Sequence, residues 1–120
     1  MSVQVILWTV IVLFAITAAG GLSMAGVRTL GNRNPPAWLA MLHGLLAAAG
    51  LTLLLFTVFT IGLPALAVWG LILLVIAALG GVFLNLGFQE RGKPLPKPVM
   101  YVHALIAVGG FILLIIAAVG

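Results

Sequence analysis

The chain has 120 residues, 65% of them hydrophobic and only 5% charged, with a formal net charge of +4 and no cysteine. A soluble domain carries far more surface charge, so this composition points to one polytopic membrane domain spanning residues 1–120. The missing thiols exclude disulfides, thiolate metal sites, iron–sulfur ligation and covalent haem attachment, and five cations in two short loops make no nucleic-acid stripe.

Four apolar runs are long enough to cross a bilayer and predict helices at about 3–27, 37–60, 64–88 and 98–119. The first has no positive n-region, so it is read as a retained helix rather than a cleaved leader. A breaker cluster, GNRNPP from Gly31 to Pro36, follows it, with Arg28 and Arg33 in or beside this break. The Ile61–Pro64 break is uncharged and reads as a tight turn with Pro64 opening the third helix. A last break, GKPLPKP from Gly92 to Pro98, lies among Arg91, Lys93 and Lys97 and follows the only acid, Glu90. Cations concentrate on the cytoplasmic side of a membrane, so both basic loops are expected inside and both termini outside, in a bacterial inner membrane. Trp8, Trp38, Trp69 and Tyr101 stand near run ends, as an interfacial belt requires. Gln4, Asn85 and Gln89 lie near the expected helix ends, where Asn85 reads as a satisfied interfacial amide, and Glu90 reads as a solvated loop charge.

The second half repeats the first at a shift of 60 residues. Leu13 pairs with Leu73, Ile16 with Ile76, Ala18 with Ala78, Gly20–Gly21 with Gly80–Gly81, and Arg33 with Lys93. Pro36 then pairs with Pro96, His43 with His103, Leu45 with Leu105, Ala47 with Ala107 and Gly50 with Gly110. The expected fold is an all-α, four-transmembrane, up-down bundle built from a tandem-duplicated hairpin, with repeats 1–60 and 61–120. Each unit holds an even number of spans, so the copies insert the same way round and are related by a pseudo-twofold along the membrane normal.

His43 and His103 are the only histidines, each seven residues beyond its matching proline. At a rise of 1.5 Å per residue both imidazoles lie roughly 10 Å inside their helices, at one level of the bilayer. Helices two and four are diagonal neighbours in an up-down bundle, so two inward imidazoles can ligate one metal on the pseudo-twofold axis. A flat macrocycle held this way turns its edges towards helices one and three, where Gly20–Gly21 and Gly80–Gly81 offer no bulk. Ala47 and Ala107 at i+4, and Gly50 and Gly110 at i+7, place small residues on the histidine faces. Arg28, Arg33, Arg91, Lys93 and Lys97 are candidates to neutralise haem propionates at the cytoplasmic surface, with Asn85 as a further hydrogen-bond partner.

This constellation resembles the membrane-embedded b-type cytochromes, in which a four-helix bundle holds haem b through histidines on two helices, with glycines beside the porphyrin. The resemblance covers the architecture, His43, His103 and the glycines. It implies one non-covalent, low-spin haem b and one-electron transfer, with a membrane quinol or a redox protein as partner. Families such as cytochrome b561 carry two histidine pairs for two haems, whereas this chain supplies one pair. It therefore cannot carry an electron across the membrane on haems of its own. With both axial positions filled, catalysis at the iron is disfavoured.

Other readings account for less. Zinc takes three or four protein ligands, more than two histidines supply. Copper accepts two imidazoles but needs no porphyrin-wide gap. A chlorophyll-type pigment could use one histidine each, in a space small for two. No acid lies within a span, against proton-coupled antiport of the small multidrug-resistance type. The spans also lack the polar positions a fluoride-channel pore needs. A cofactor-free accessory subunit of a larger membrane complex is the alternative from a different class, since lone histidines and glycines also serve helix packing.

Overall fold

A computed structural model describes all 120 residues as four long helices and no strands: α1 Val3–Leu30, α2 Ala37–Thr60, α3 Ala65–Leu84 and α4 Lys97–Val119. A π-helical turn, Asn85–Gln89, continues α3 directly. All four are long and apolar enough to cross a membrane. The bundle is 43 Å long and about 20 Å across, which matches a bilayer with its headgroup regions. Large apolar side chains such as Phe59, Leu79 and Leu105 are exposed all round, as a lipid-facing surface requires.

Helix ends fall where the local chemistry puts them. Ser2 caps α1 by accepting a hydrogen bond from the Val5 amide. Pro36, Pro64 and Pro96 stand immediately before α2, α3 and α4, where a missing N–H costs nothing. Gly62 closes α2 in the left-handed region (φ 93°), its amide bonded to Thr57 O. Two boundaries differ from the sequence expectation. α1 continues three residues further, so Arg28 sits in its last helical turn rather than in the loop. The end of α3 is π-helical, which nothing in the apolar pattern announces.

α1 packs most extensively on α2, and α3 on α4; α1 also packs on α4, and of these neighbouring pairs α2 and α3 touch least. Lipid is as apolar as leucine, so close fit rather than exclusion from water holds these faces together. The buried positions repeat along the chain. Leu7 and Ala67, Ile11 and Leu71, Phe14 and Leu74, and Leu54 and Leu114 are all buried, each pair at the spacing of the sequence repeat. One core cluster runs through all four helices, from Ile6 and Leu7 to Leu114 and Ala118. A smaller one, Leu84, Leu95 and Met100, underlies the basic loops. Gln4 donates to Ala118 O and ties the start of α1 to the end of α4.

Candidate functional site

The two histidines meet inside the bundle. Their ring centroids are 6.3 Å apart and the ring planes stand at 71° to each other. His43 Nδ1 lies 2.8 Å from Thr17 O on α1, and His103 Nδ1 lies 2.7 Å from Ala77 O on α3. A carbonyl can only accept, so Nδ1 donates in both rings and Nε2 is the nitrogen left without a carbonyl partner. This is the arrangement that fixes the tautomer and orientation of a ligating histidine. Both are main-chain carbonyls of residues that the repeat does not single out: threonine stands in one half and alanine in the other.

The glycines next to the histidines make room for the rings. A Cβ on Gly21 would sit 2.9 Å from His43 Cε1, and one on Gly81 would sit 3.2 Å from His103 Cε1. Gly20 and Gly80 stand one step further off, at 4.0 and 3.7 Å from the respective Nδ1 atoms. The sequence expectation put these four at a macrocycle's edge. Their nearest neighbours are instead the imidazoles of their own hairpins, although Gly21 and Gly81 also line the cavity described next.

That cavity has a volume of about 580 Å³ and lies between α2 and α3, where those helices touch least. It is within the range of small-molecule and cofactor sites. Both histidines line it, with Ala47 and Ala48 on the α2 side and three methionines, Met24, Met41 and Met100. Methionine is unbranched and polarizable, so this wall adapts readily to a bulky apolar guest. The methionines carry no spacing signal and were not legible as site residues.

Two sets of expected site residues lie elsewhere. Gly50 and Gly110 do not line the cavity; they let helices approach. A Cβ on Gly50 would sit 2.6 Å from the Phe14 ring, and one on Gly110 would sit 2.8 Å from Leu74 and 2.9 Å from Gly70 O. Ala107 does not line it either, so of the small residues expected around the histidines only Gly21, Ala47 and Gly81 open onto the cavity. Of the basic residues, only Arg28 and Arg33 border a second, polar cavity of about 260 Å³, together with Asn32, Asn34 and Gln89. Arg91 and Lys93 border neither cavity. Arg28 is already engaged, donating through Nε to Leu95 O and through a terminal nitrogen to Asn32 Oδ1. Asn34 staples the two loops by donating to Lys93 O and accepting from the Leu95 amide.

Gln89 is the residue sequence reading placed but undervalued. It ends the π turn and borders both cavities. Its Nε2 donates to Pro35 O at 2.7 Å, while its Oε1 is buried with no partner. Leaving such an acceptor bare costs on the order of 1–3 kcal/mol. Glu90, beside it, is exposed at the rim of the apolar cavity.

The donor set also bounds the chemistry. No three His, Cys, Asp or Glu side chains cluster anywhere. Two imidazoles are what the chain can offer a metal. A metal held between facing imidazoles at about 2 Å per bond puts the ring centres about 6 Å apart, close to the spacing seen here. A metal bound between them would have two ligands from the protein and would have to bring the rest with it. No protein-family description matches the chain, and no curated protein or solved structure is significantly similar to it.

Proposed function

We propose that the protein is a haem b-binding membrane cytochrome that transfers single electrons, in which His43 and His103 would hold the iron. One observation carries this reading: two imidazoles, each with Nδ1 on a backbone carbonyl, stand 6.3 Å apart beside an apolar cavity of about 580 Å³. Haem b bound there supplies one-electron redox chemistry. The chain's part is to orient both rings through Thr17 O and Ala77 O, and to keep water from the iron with the apolar wall around them. Arg28 and Arg33 border the polar cavity and would offer positive charge to acid groups of the ligand.

In this reading the bundle is the up-down product of a duplicated hairpin, and the matched histidine bonds and buried positions support that origin. The basic loops face the cytoplasm of a bacterial inner membrane, with both termini outside. A membrane quinol or a redox protein exchanges electrons with the site. Quinol oxidation also releases protons, and the only carboxylate, Glu90, is exposed at the cavity rim rather than buried within a span. The chain is thus better suited to passing electrons than to completing quinol chemistry alone.

The test is an absorption spectrum of detergent-purified protein from haem-replete cells, before and after dithionite. A low-spin b-type reduced spectrum is expected. Colourless protein would leave the cofactor-free accessory subunit as the better account, and far-red absorption would favour a chlorophyll-type pigment.

A further inference from the structure

The cavity beside the histidines is open along one side and closed at one end. Met41, Gly44, Leu45 and Ala48 of α2 line it and are also exposed on the outer surface of the bundle. They recur every three or four residues, so they share one face of the helix. Val82 of α3 and Leu86 of the π turn line the cavity from the other side and are exposed as well. No hydrogen bond joins α2 to α3 across this apolar slot. Gly44 leaves the slot clear, since a Cβ there would meet nothing within 4 Å. It directly follows His43, which sets the opening at the level of the imidazoles.

The loop end is shut. Leu84, Leu95 and Met100 line the cavity there, are buried and pack on one another. Over them Asn34 donates to Lys93 O and accepts from the Leu95 amide, Gln89 donates to Pro35 O, and Arg28 donates to Leu95 O. A ligand coming through the loops has to break these bonds. One coming from the bilayer displaces only lipid chains, which are as apolar as the slot itself. We propose that the cavity takes up haem sideways from the bilayer through the α2–α3 slot, and that Gly44 keeps this entrance open. The proposal rests on the haem reading above. It makes the ligand of the site a membrane-dissolved molecule and gives a role to a glycine that no packing contact requires. Gly26 is equally free of neighbours but lies outside the cavity, so it serves as the control.

The experiment adds excess hemin to apoprotein in phosphatidylcholine vesicles and follows the appearance of the low-spin absorbance. Gly44→Trp and, from the opposite wall, Val82→Trp should reach the wild-type absorbance more slowly. A slowing of about tenfold or more is expected, within the roughly one to three decades that on-rates span among variants of one site. Gly26→Trp should load at the wild-type rate. So should Asn34→Ala, which removes two of the bonds closing the loop end. Wild-type rates in both slot variants, an equal slowing in Gly26→Trp, or faster loading of Asn34→Ala overturns the proposal. Should neither tryptophan variant fold, Gly44→Leu and Ala48→Leu narrow the same entrance, and unchanged loading of both overturns it. If the wild type itself takes up no haem, the haem reading and this inference fail together.

Discussion

His43 rests on Thr17 O and Gly21, and His103 rests on Ala77 O and Gly81, so the two hairpins hold their imidazoles by the same contacts. Beyond the histidines the hairpins part. α1 stays α-helical to Leu30, whereas α3 opens at Asn85 into a π turn that carries Gln89 between the two cavities. The cavity takes most of its wall from α2 and α3, so one histidine-bearing helix is more exposed to it than the other. The matched halves hold the two imidazoles alike, and the unmatched ends make one end of the cavity unlike the other. π turns inside helices are frequent at functional sites.

The strongest way to break the symmetry is at the ligands. His43→Ala and His103→Ala are each expected to abolish the low-spin haem spectrum, and to about the same extent. A variant that kept it would show that its histidine is not a ligand. The glycine pair sharpens the comparison. Gly21→Ala meets its imidazole at 2.9 Å and Gly81→Ala at 3.2 Å, so the first should weaken haem binding more. Losses within the roughly 10- to 100-fold range of disturbed ligand-orienting contacts are expected, read by haem titration of the apoprotein. Equal affinities would mean that the rings shift freely.

A smaller effect is expected at the packing glycines. An added methyl at Gly110 meets the Gly70 backbone, which cannot rotate away, and Gly110→Ala should cost about 1–3 kcal/mol by denaturant unfolding in detergent. The nearest atoms to an added methyl at Gly50 belong to the Phe14 side chain rather than to backbone, and Gly50→Ala should cost less. The least effect is expected at Arg28. Arg28→Ala removes hydrogen bonds to Leu95 O and Asn32 and should lower stability by roughly 0.5–1.5 kcal/mol, leaving the haem spectrum unchanged.

Much of the architecture was legible because apolar runs and proline-marked breaks are local signals. The four helices appear within a few residues of where those signals place them. The histidine pair was legible for a different reason: two rare residues at one repeat spacing stand out in a leucine- and alanine-rich chain. What holds the histidines was not. Thr17 and Ala77 act through main-chain oxygens, which no side-chain comparison reveals. The glycines were found, but their partners were misjudged, because i+7 spacing identifies a face and not the neighbour across it. Gly50 and Gly110 accordingly serve helix contacts. The π turn left no mark either, since NLGFQ contains neither proline nor an obvious breaker. Gln89 could be located near a helix end, but its unpartnered oxygen depends on how that turn meets Pro35.

The central claim is that the two imidazoles share one metal rather than serving two ligands or none. Titrating apoprotein with haem, while following the low-spin absorbance, tests it most directly. The account predicts saturation at one haem per chain, with both histidines required for the signal. Saturation at two, a high-spin product, or no uptake would contradict it.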